Sequence, residues 1–251
     1  AGTGSANEET RRSGAESVRD DIATLPVGSH VIVCGDMNFY SANESAYNWF
    51  TVPGDGQILD PLGNGNPWGG ATYALKHTQS PLASQNGGLI GGGLDDRFDF
   101  QFLSPSLMDV GGFNLIDNTY RSLGNDGAHY NQAINAGNNF YFPNDMPRGN
   151  SLADALIVAS DHLPLIADYQ VPAVLAWEWN PVANRVLVDA DTTVEFLIRN
   201  DAPVTHTLGA DVLNVDLVAT GDLSGSSSVT VAALSPPESI LFPVDTAVAG
   251  T

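Results

Sequence analysis

Three separated stretches of the sequence place carboxylate, amide or imidazole side chains where strands are predicted to begin or end. Asp36 and Asn38 follow the apolar run VIVC at 31–34, which predicts a short strand buried on both faces. At a spacing of two residues, both side chains can project to the same side of extended backbone. A carboxylate and an amide in that position suit a phosphate, a metal ion or a polarised water, although both residue types are also common in turns.

The second stretch, RFDFQFLS at 97–104, predicts a strand with one apolar and one polar face, because its phenylalanines alternate with polar residues. Asp99 lies inside this strand, where aspartate is disfavoured, and is therefore expected to have a partner. For Arg97, the alternative to a role at the site is a surface ion pair with Asp95 or Asp96 that has no catalytic function.

The third stretch places Ser160, Asp161 and His162 at the entrance of a strand predicted over 163–169. Together with the first two stretches, it forms a candidate constellation of carboxylates around one histidine. The alternative is that these residues have structural roles. The hydrogen bonds of His162 would then be satisfied inside the fold, and Asp161 would act as a helix cap or turn residue. His129, a lone loop histidine, is expected to face solvent.

Composition limits the classes of function. The chain has 251 residues and a formal net charge of −20, so it is expected to bind nucleic acid poorly in a non-specific way. A phosphate substrate is still allowed, because a bound divalent cation can reverse the local sign of charge. The single cysteine, Cys34, excludes an internal disulfide and a cysteine zinc cluster, and it is predicted to be a buried core residue. No apolar run is long enough to predict a membrane span.

The pattern of apolar residues predicts two domains. Over 1–170, helices are predicted at 7–25, from 41 towards 50 and from 151 to 158, while the glycine tract NGGLIGGG at 86–93 is predicted to be a mobile loop. Residues 171–251 lack helical periodicity and predict a small antiparallel β-sandwich after a hinge at Val171 and Pro172. Its predicted strands are 185–188, 193–198, 213–219, 228–232 and 240–244.

The motifs GDMN at 35–38, RFDFQFLS at 97–104 and SDHLP at 160–164, in that order, resemble the endonuclease/exonuclease/phosphatase superfamily. The resemblance implies an α/β (α+β) four-layer sandwich of two packed β-sheets flanked by helices, of which residues 1–170 would be the C-terminal half. The stretch at 120–137 is similar to secreted bacterial members, which implies an extracellular or cell-surface location.

Residues 171–251 have a separate resemblance. TTVEFLIRNDAP at 192–203 and LFPVDTAVAG at 241–250 look like Ig-like modules of large bacterial surface or secreted proteins. This resemblance implies an all-β Ig-like sandwich, cut short at Thr251, that serves display or spacing.

The superfamily resemblance implies a role for each site residue. His162 would contact the scissile phosphate or act as its proton partner, and Asp99 would accept a hydrogen bond from the His162 ring. Asp161 would help to hold a divalent metal, Mg²⁺ first, with Ca²⁺ or Mn²⁺ as alternatives. Asp36 would orient or deprotonate the attacking water, or protonate the leaving oxygen, and Asn38 would hydrogen-bond a phosphate oxygen. The chemistry implied is in-line attack of water on a phosphoester.

The sequence also departs from the superfamily pattern. The Asn, the metal-binding Glu and the second catalytic His that members carry in the N-terminal half of the domain are missing here. We therefore expect a fragment that holds about half of the active site and is inactive alone. The function expected for the parent protein is a metal-dependent phosphodiester hydrolase, an extracellular endonuclease acting on nucleic acid. The alternatives are a phosphatase or phospholipase on small or lipid phosphates, and a surface-display or adhesion protein without catalysis.

Overall fold

The computed structural model describes residues 2–141, 146–181, 187–221, 223–244 and 246. The chain folds as two compact units, one formed by residues 1–109 with 115–168 and the other by 110–114 with 169–251. Helices and several antiparallel sheets together give a mixed α/β protein, which confirms the class predicted from the sequence. No helix in the described ranges has both the length and the apolar composition to cross a bilayer.

The described part of the first unit contains three α-helices. They are α1 (Ser5–Ala23), α2 (Ser45–Thr51) and α3 (Met146–Ala159), of which α3 begins five residues before the predicted start. The start predicted for α2 at residue 41 is wrong, because α2 begins at Ser45 with Glu44 as its N-cap residue. The Glu44 carboxylate instead accepts hydrogen bonds from the Tyr40 N–H and from Arg11.

Eleven short strands are present in the described part of the chain. In order they are β1 (Ile32–Asp36), β2 (Asp99–Leu103), β3 (Asn114–Leu115), β4 (Arg121–Ser122), β5 (Leu165–Ile166), β6 (Tyr169–Gln170), β7 (Leu175–Asn180), β8 (Thr193–Asn200), β9 (Leu213–Val218), β10 (Ser226–Val231) and β11 (Glu238–Pro243). The continuous strand predicted over 163–169 is wrong, because that stretch holds only the two-residue strands β5 and the start of β6.

An aromatic cluster forms the core beneath the β1–β2 pair. Phe100 and Phe102 of β2 stack with their ring centroids 5.0 Å apart, since alternate residues of a strand share one face. The helices α1 and α2 pack against each other beside this cluster. The other buried aromatic side chains of the cluster are Phe39, Tyr47, Phe50 and Trp68.

The prediction that the 31–34 strand is buried on both faces is wrong. Ile32 and Cys34 are exposed, and only Val33 is packed against the aromatic cluster. Burial on both faces needs a layer on each side, and the described residues supply a layer only on the side of Val33 and Phe102. The predicted burial of Cys34 fails for the same reason.

Arg97 and His129 are also corrected by the structure. Arg97 pairs with Asp60 rather than with a neighbouring aspartate, and both side chains are buried. His129 is buried as well, with Nδ1 2.8 Å from Asp126 Oδ1 and Nε2 3.2 Å from the Ala136 carbonyl oxygen. Both side chains are therefore paired with a buried carboxylate inside the fold, and neither is exposed to a substrate.

The larger sheets in the described part of the second unit are antiparallel, one with strand order β11-β8-β7 and one with β10-β9. Its core is built by apolar residues from both sheets, including Ile198, Val231 and Phe242. Four of the five predicted strands have counterparts here, in β8, β9, β10 and β11. β7 was not predicted, and the predicted strand at 185–188 falls partly outside the described residues.

Candidate active site

The β1–β2 ladder places two site carboxylates opposite each other. The strands are antiparallel, and their register pairs Asp36 directly with Asp99. Side chains of directly opposed residues project from the same face of an antiparallel pair. A backbone hydrogen bond from Met37 N–H to the Phe98 carbonyl, 2.8 Å long, continues the pairing past the end of β1.

His162 reaches the same place from the segment after α3. Its Nδ1 lies 2.7 Å from Asp99 Oδ2, and its Nε2 lies 4.0 Å from Asp36 Oδ2. The backbone around it is fixed, because the His162 N–H donates to Ser160 Oγ at 3.0 Å and the next N–H, that of Leu163, donates to the Thr78 carbonyl at 2.7 Å. The hydrogen bond expected between Asp99 and His162 is therefore present, and residues 126 positions apart in sequence meet at one site.

The carboxylates around His162 favour its charged form. The hydrogen bond to Asp99 is the largest influence and raises the pKa of His162, burial of the ring opposes that rise, and the negative charges of Asp99, Asp36 and Asp161 add to it. The net result is a pKa above the ordinary value for histidine. The ring is therefore protonated to a higher pH than a free imidazole would be.

Asp36 has one oxygen engaged and one directed at the histidine. Its Oδ1 accepts the Asn38 N–H at 2.9 Å, which is the usual turn bond of an aspartate to the residue two positions later. This turn requires a left-handed backbone at Asn38, where φ is 52°, and asparagine tolerates that conformation better than most residues. Asn38 thus joins the site through its backbone N–H, while its predicted side-chain contact to phosphate stays a prediction.

Asp161 is bound to the glycine tract. Its Oδ2 accepts the Ile90 N–H at 3.0 Å, and the Ile90 carbonyl accepts the hydroxyl of Ser80 at 2.6 Å. Within the tract, Asn86 and Leu89 exchange two backbone hydrogen bonds. The predicted loop is therefore a closed turn that contacts a site carboxylate.

Two site residues, Thr78 and Gln79, were missed by the sequence analysis. Thr78 Oγ1 accepts the backbone N–H groups of Phe98 and Asp99, both at 3.2 Å, and so supports the strand that carries the carboxylate. The side-chain nitrogen of Gln79 lies 2.6 Å from His162 Nε2. The sequence offers little signal for either residue, because a polar Thr-Gln pair between two irregular segments is typical of a loop.

The described residues only partly fit a magnesium ion. Asp36 and Asp161 offer the oxygen donors that Mg²⁺ prefers, but Asp161 already accepts a backbone N–H. No group of three or more histidine, cysteine, aspartate or glutamate side chains is arranged to hold one ion within the described residues. Mg²⁺ therefore stays an expectation from the resemblance.

An open cleft runs beside the histidine. It is lined by Cys34 and Gly35 of β1, by Asp99 and Gln101 of β2, and by Ser160 with residues 162–165. His162 and Asp99 are therefore accessible to a ligand. Comparison of the chain with protein-family models, with curated proteins and with solved structures found no match.

Proposed function

We propose that this chain carries the histidine–carboxylate part of the active site of a phosphodiester hydrolase. The observation that carries the proposal is the arrangement of Asp99, His162 and Asp36, with one carboxylate on Nδ1 and the other 4.0 Å from Nε2. A carboxylate that orients an imidazole through one ring nitrogen is a recurrent arrangement for acid–base chemistry.

In this proposal His162 supplies positive charge and a proton. Asp99 holds the Nδ1 proton, which leaves Nε2 as the nitrogen that faces the reacting group. Because the pKa of His162 is raised, Nε2 keeps its proton to a higher pH than a free imidazole would, and it can donate that proton to a phosphoryl oxygen. The charge that develops on the phosphoester is thereby countered where it forms.

Asp36 is the base for the attacking water. Two atoms 4.0 Å apart can both lie within hydrogen-bond distance, about 2.8 Å, of one oxygen placed between them. The water oxygen forms a bond to phosphorus while the bond to the leaving oxygen breaks, Asp36 takes the water proton, and His162 Nε2 donates a hydrogen bond to a phosphoryl oxygen. The leaving oxygen lies opposite the attacking water in an in-line displacement and takes its proton from solvent. The turn bond from the Asn38 N–H to Asp36 Oδ1 orients the other oxygen, Oδ2, towards the histidine.

The proposal extends to the fold and the setting. Helices α1 and α2 beside one face of the β1–β2 pair support the flanking layer of a four-layer sandwich, with the first unit as its C-terminal half. Two antiparallel sheets around a shared core support an Ig-like module in the second unit. The Mg²⁺ cofactor and the nucleic-acid substrate rest on the resemblance. The extracellular setting rests on the resemblance as well, and the strongly acidic composition is consistent with it.

The test is hydrolysis of bis(4-nitrophenyl) phosphate and of supercoiled plasmid DNA in the presence of Mg²⁺. It uses this chain alone and a chain extended upstream to include the metal-binding Glu and second His that the resemblance implies. We expect the extended chain to be active, and His162→Ala to lower its rate by about a hundredfold or more.

His206→Ala is the matched control, because His206 is an exposed histidine of the second unit. The proposal fails if the extended wild-type chain hydrolyses neither substrate. It also fails if His162→Ala and His206→Ala retain the same activity.

A further inference from the structure

His162 is held at both of its ring nitrogens. Asp99 Oδ2 lies 2.7 Å from Nδ1, and the side-chain nitrogen of Gln79 lies 2.6 Å from Nε2. A single hydrogen bond at Nδ1 would let the ring pivot about that contact, whereas two bonds at opposite nitrogens define the plane of the ring. We propose that Gln79 is a positioning residue that fixes the orientation of the His162 ring, which rests on the function proposed for that histidine.

The backbone of Gln79 is rigidly placed for this role. Its N–H donates to the Asp96 carbonyl at 3.0 Å, and its carbonyl accepts the N–H groups of Asp95 and Asp96 at 3.0 and 2.9 Å. The residue before it, Thr78, accepts the Leu163 N–H at 2.7 Å. Gln79 is therefore fixed between the segment that leads into β2 and the segment that carries the histidine, and only its side chain is left to adjust.

An amide suits this position better than a carboxylate would. A neutral imidazole with its proton on Nδ1 needs a donor at Nε2, whereas the protonated ring needs an acceptor there. The Gln79 amide offers its NH₂ group in the first state and, after a half-turn, its oxygen in the second. The contact to Nε2 can thus persist in both states through which the proposed mechanism takes His162, with the Nε2–H shared between the Gln79 oxygen and the phosphoryl oxygen in the protonated state.

Ring mobility provides a test that needs no catalysis. The chain has five histidines, and the His162 ring signals are assigned by their absence from the spectrum of His162→Ala. We expect Gln79→Met, which keeps the length of the side chain but removes its hydrogen bond, to lower the NMR order parameter of the His162 ring Cδ2–H bond. Gln79→Glu, which can still accept from the protonated ring, should keep the order parameter high below pH 6.

Gln101→Met is the matched control. Gln101 lines the same cleft, and its side-chain nitrogen donates to the Leu165 carbonyl at 3.0 Å. This variant should leave the His162 ring as rigid as in the wild type. An unchanged order parameter in Gln79→Met, or an equal loss in Gln79→Met and Gln101→Met, would overturn the positioning role.

Steady-state kinetics of the extended chain provide a second test of the positioning role of Gln79. A lost positioning contact should lower kcat for bis(4-nitrophenyl) phosphate by about tenfold in Gln79→Met and leave KM unchanged, because one hydrogen bond is removed from the reacting geometry. A lower KM with unchanged kcat would instead show that the amide competes with the substrate for Nε2, and would refute the inference. If the wild-type chain is inactive, the proposed function fails, whereas the ring-mobility result still decides whether Gln79 holds the histidine.

Discussion

The buried ion pair between Arg97 and Asp60 allows a quantitative prediction about stability. The two guanidinium NH₂ groups of Arg97 donate to the two carboxylate oxygens of Asp60, both at 2.8 Å, and the side chains are 1% and 0% exposed. The Tyr47 hydroxyl donates to the same carboxylate at 2.9 Å, and the guanidinium carbon lies 4.2 Å from the centre of the Phe100 ring. Each charge is therefore compensated almost entirely by its partner.

Replacing Arg97 by methionine should leave the Asp60 carboxylate buried without its counter-charge. Breaking a buried pair in this way costs about 3–5 kcal/mol of the free energy of unfolding. For a unit of about 160 residues, that corresponds to a fall in Tm of about 6–20 °C. Urea unfolding followed by near-ultraviolet circular dichroism is a suitable assay, because Tyr47, Trp68 and Phe100 surround the pair.

A double variant separates the lost charge pairing from the lost packing. Arg97→Met with Asp60→Asn removes both charges and keeps a side-chain oxygen that can accept from Tyr47, so it should be more stable than Arg97→Met alone. Glu16→Gln is the control, since its pair with Arg12 is equally short at 2.7 Å but far more exposed, and it should cost less than about 1 kcal/mol. A cost below 1 kcal/mol for Arg97→Met, or a double variant less stable than the single one, would refute this reasoning.

Two further predictions concern the candidate site. The pKa of His162 is raised, chiefly by its hydrogen bond to Asp99, above the ordinary 6.5, so the stability from this pair is fully present below pH 6.5 and is lost as the pH rises through the folded pKa. Asp99→Asn should therefore lower the pKa of His162 in an NMR titration and destabilise the protein more at pH 5.5 than at pH 9; an equal cost at both values would contradict this. Asp161→Ala removes the acceptor of the Ile90 N–H and should speed hydrogen exchange of that amide by about fivefold to tenfold. The Leu89 amide of the same turn, which donates to a backbone carbonyl, should keep its exchange rate, and equal acceleration of both amides would show that the whole turn had moved.

Part of the candidate site could be predicted because the sequence contains a local conflict. A carboxylate inside a predicted alternating strand needs a partner, but only the resemblance indicated that His162 is the partner of Asp99. The mixed α/β class followed from the change between helical and alternating periodicity along the chain. The conflict at Asp99 and the change of periodicity both depend on residues that are close in sequence.

The contacts of Gln79 and Asp60 could not be predicted in the same way. Asp60 lies in a stretch rich in glycine, proline and asparagine, so nothing local distinguishes it from an exposed loop aspartate. Its link to Arg97 spans 37 positions, and that of Gln79 to His162 spans 83. The prediction that β1 is buried on both faces was wrong for a related reason. An apolar run indicates that a strand packs against a core, but it does not indicate how many layers cover that strand.

The short β1–β2 ladder holds Asp36, the proposed base, opposite Asp99, the hydrogen-bond partner of His162. Asp36 occupies the last residue pair of that ladder, and in the described residues β2 is the only strand that pairs with β1. Asp99 has additional support from the Thr78 hydroxyl. Fraying at the end of β1 would therefore carry the proposed base away from the histidine while the aromatic core stays folded. Hydrolysis should then decline at temperatures below the global melting transition, because the few backbone hydrogen bonds at the end of β1 would break before the core unfolds.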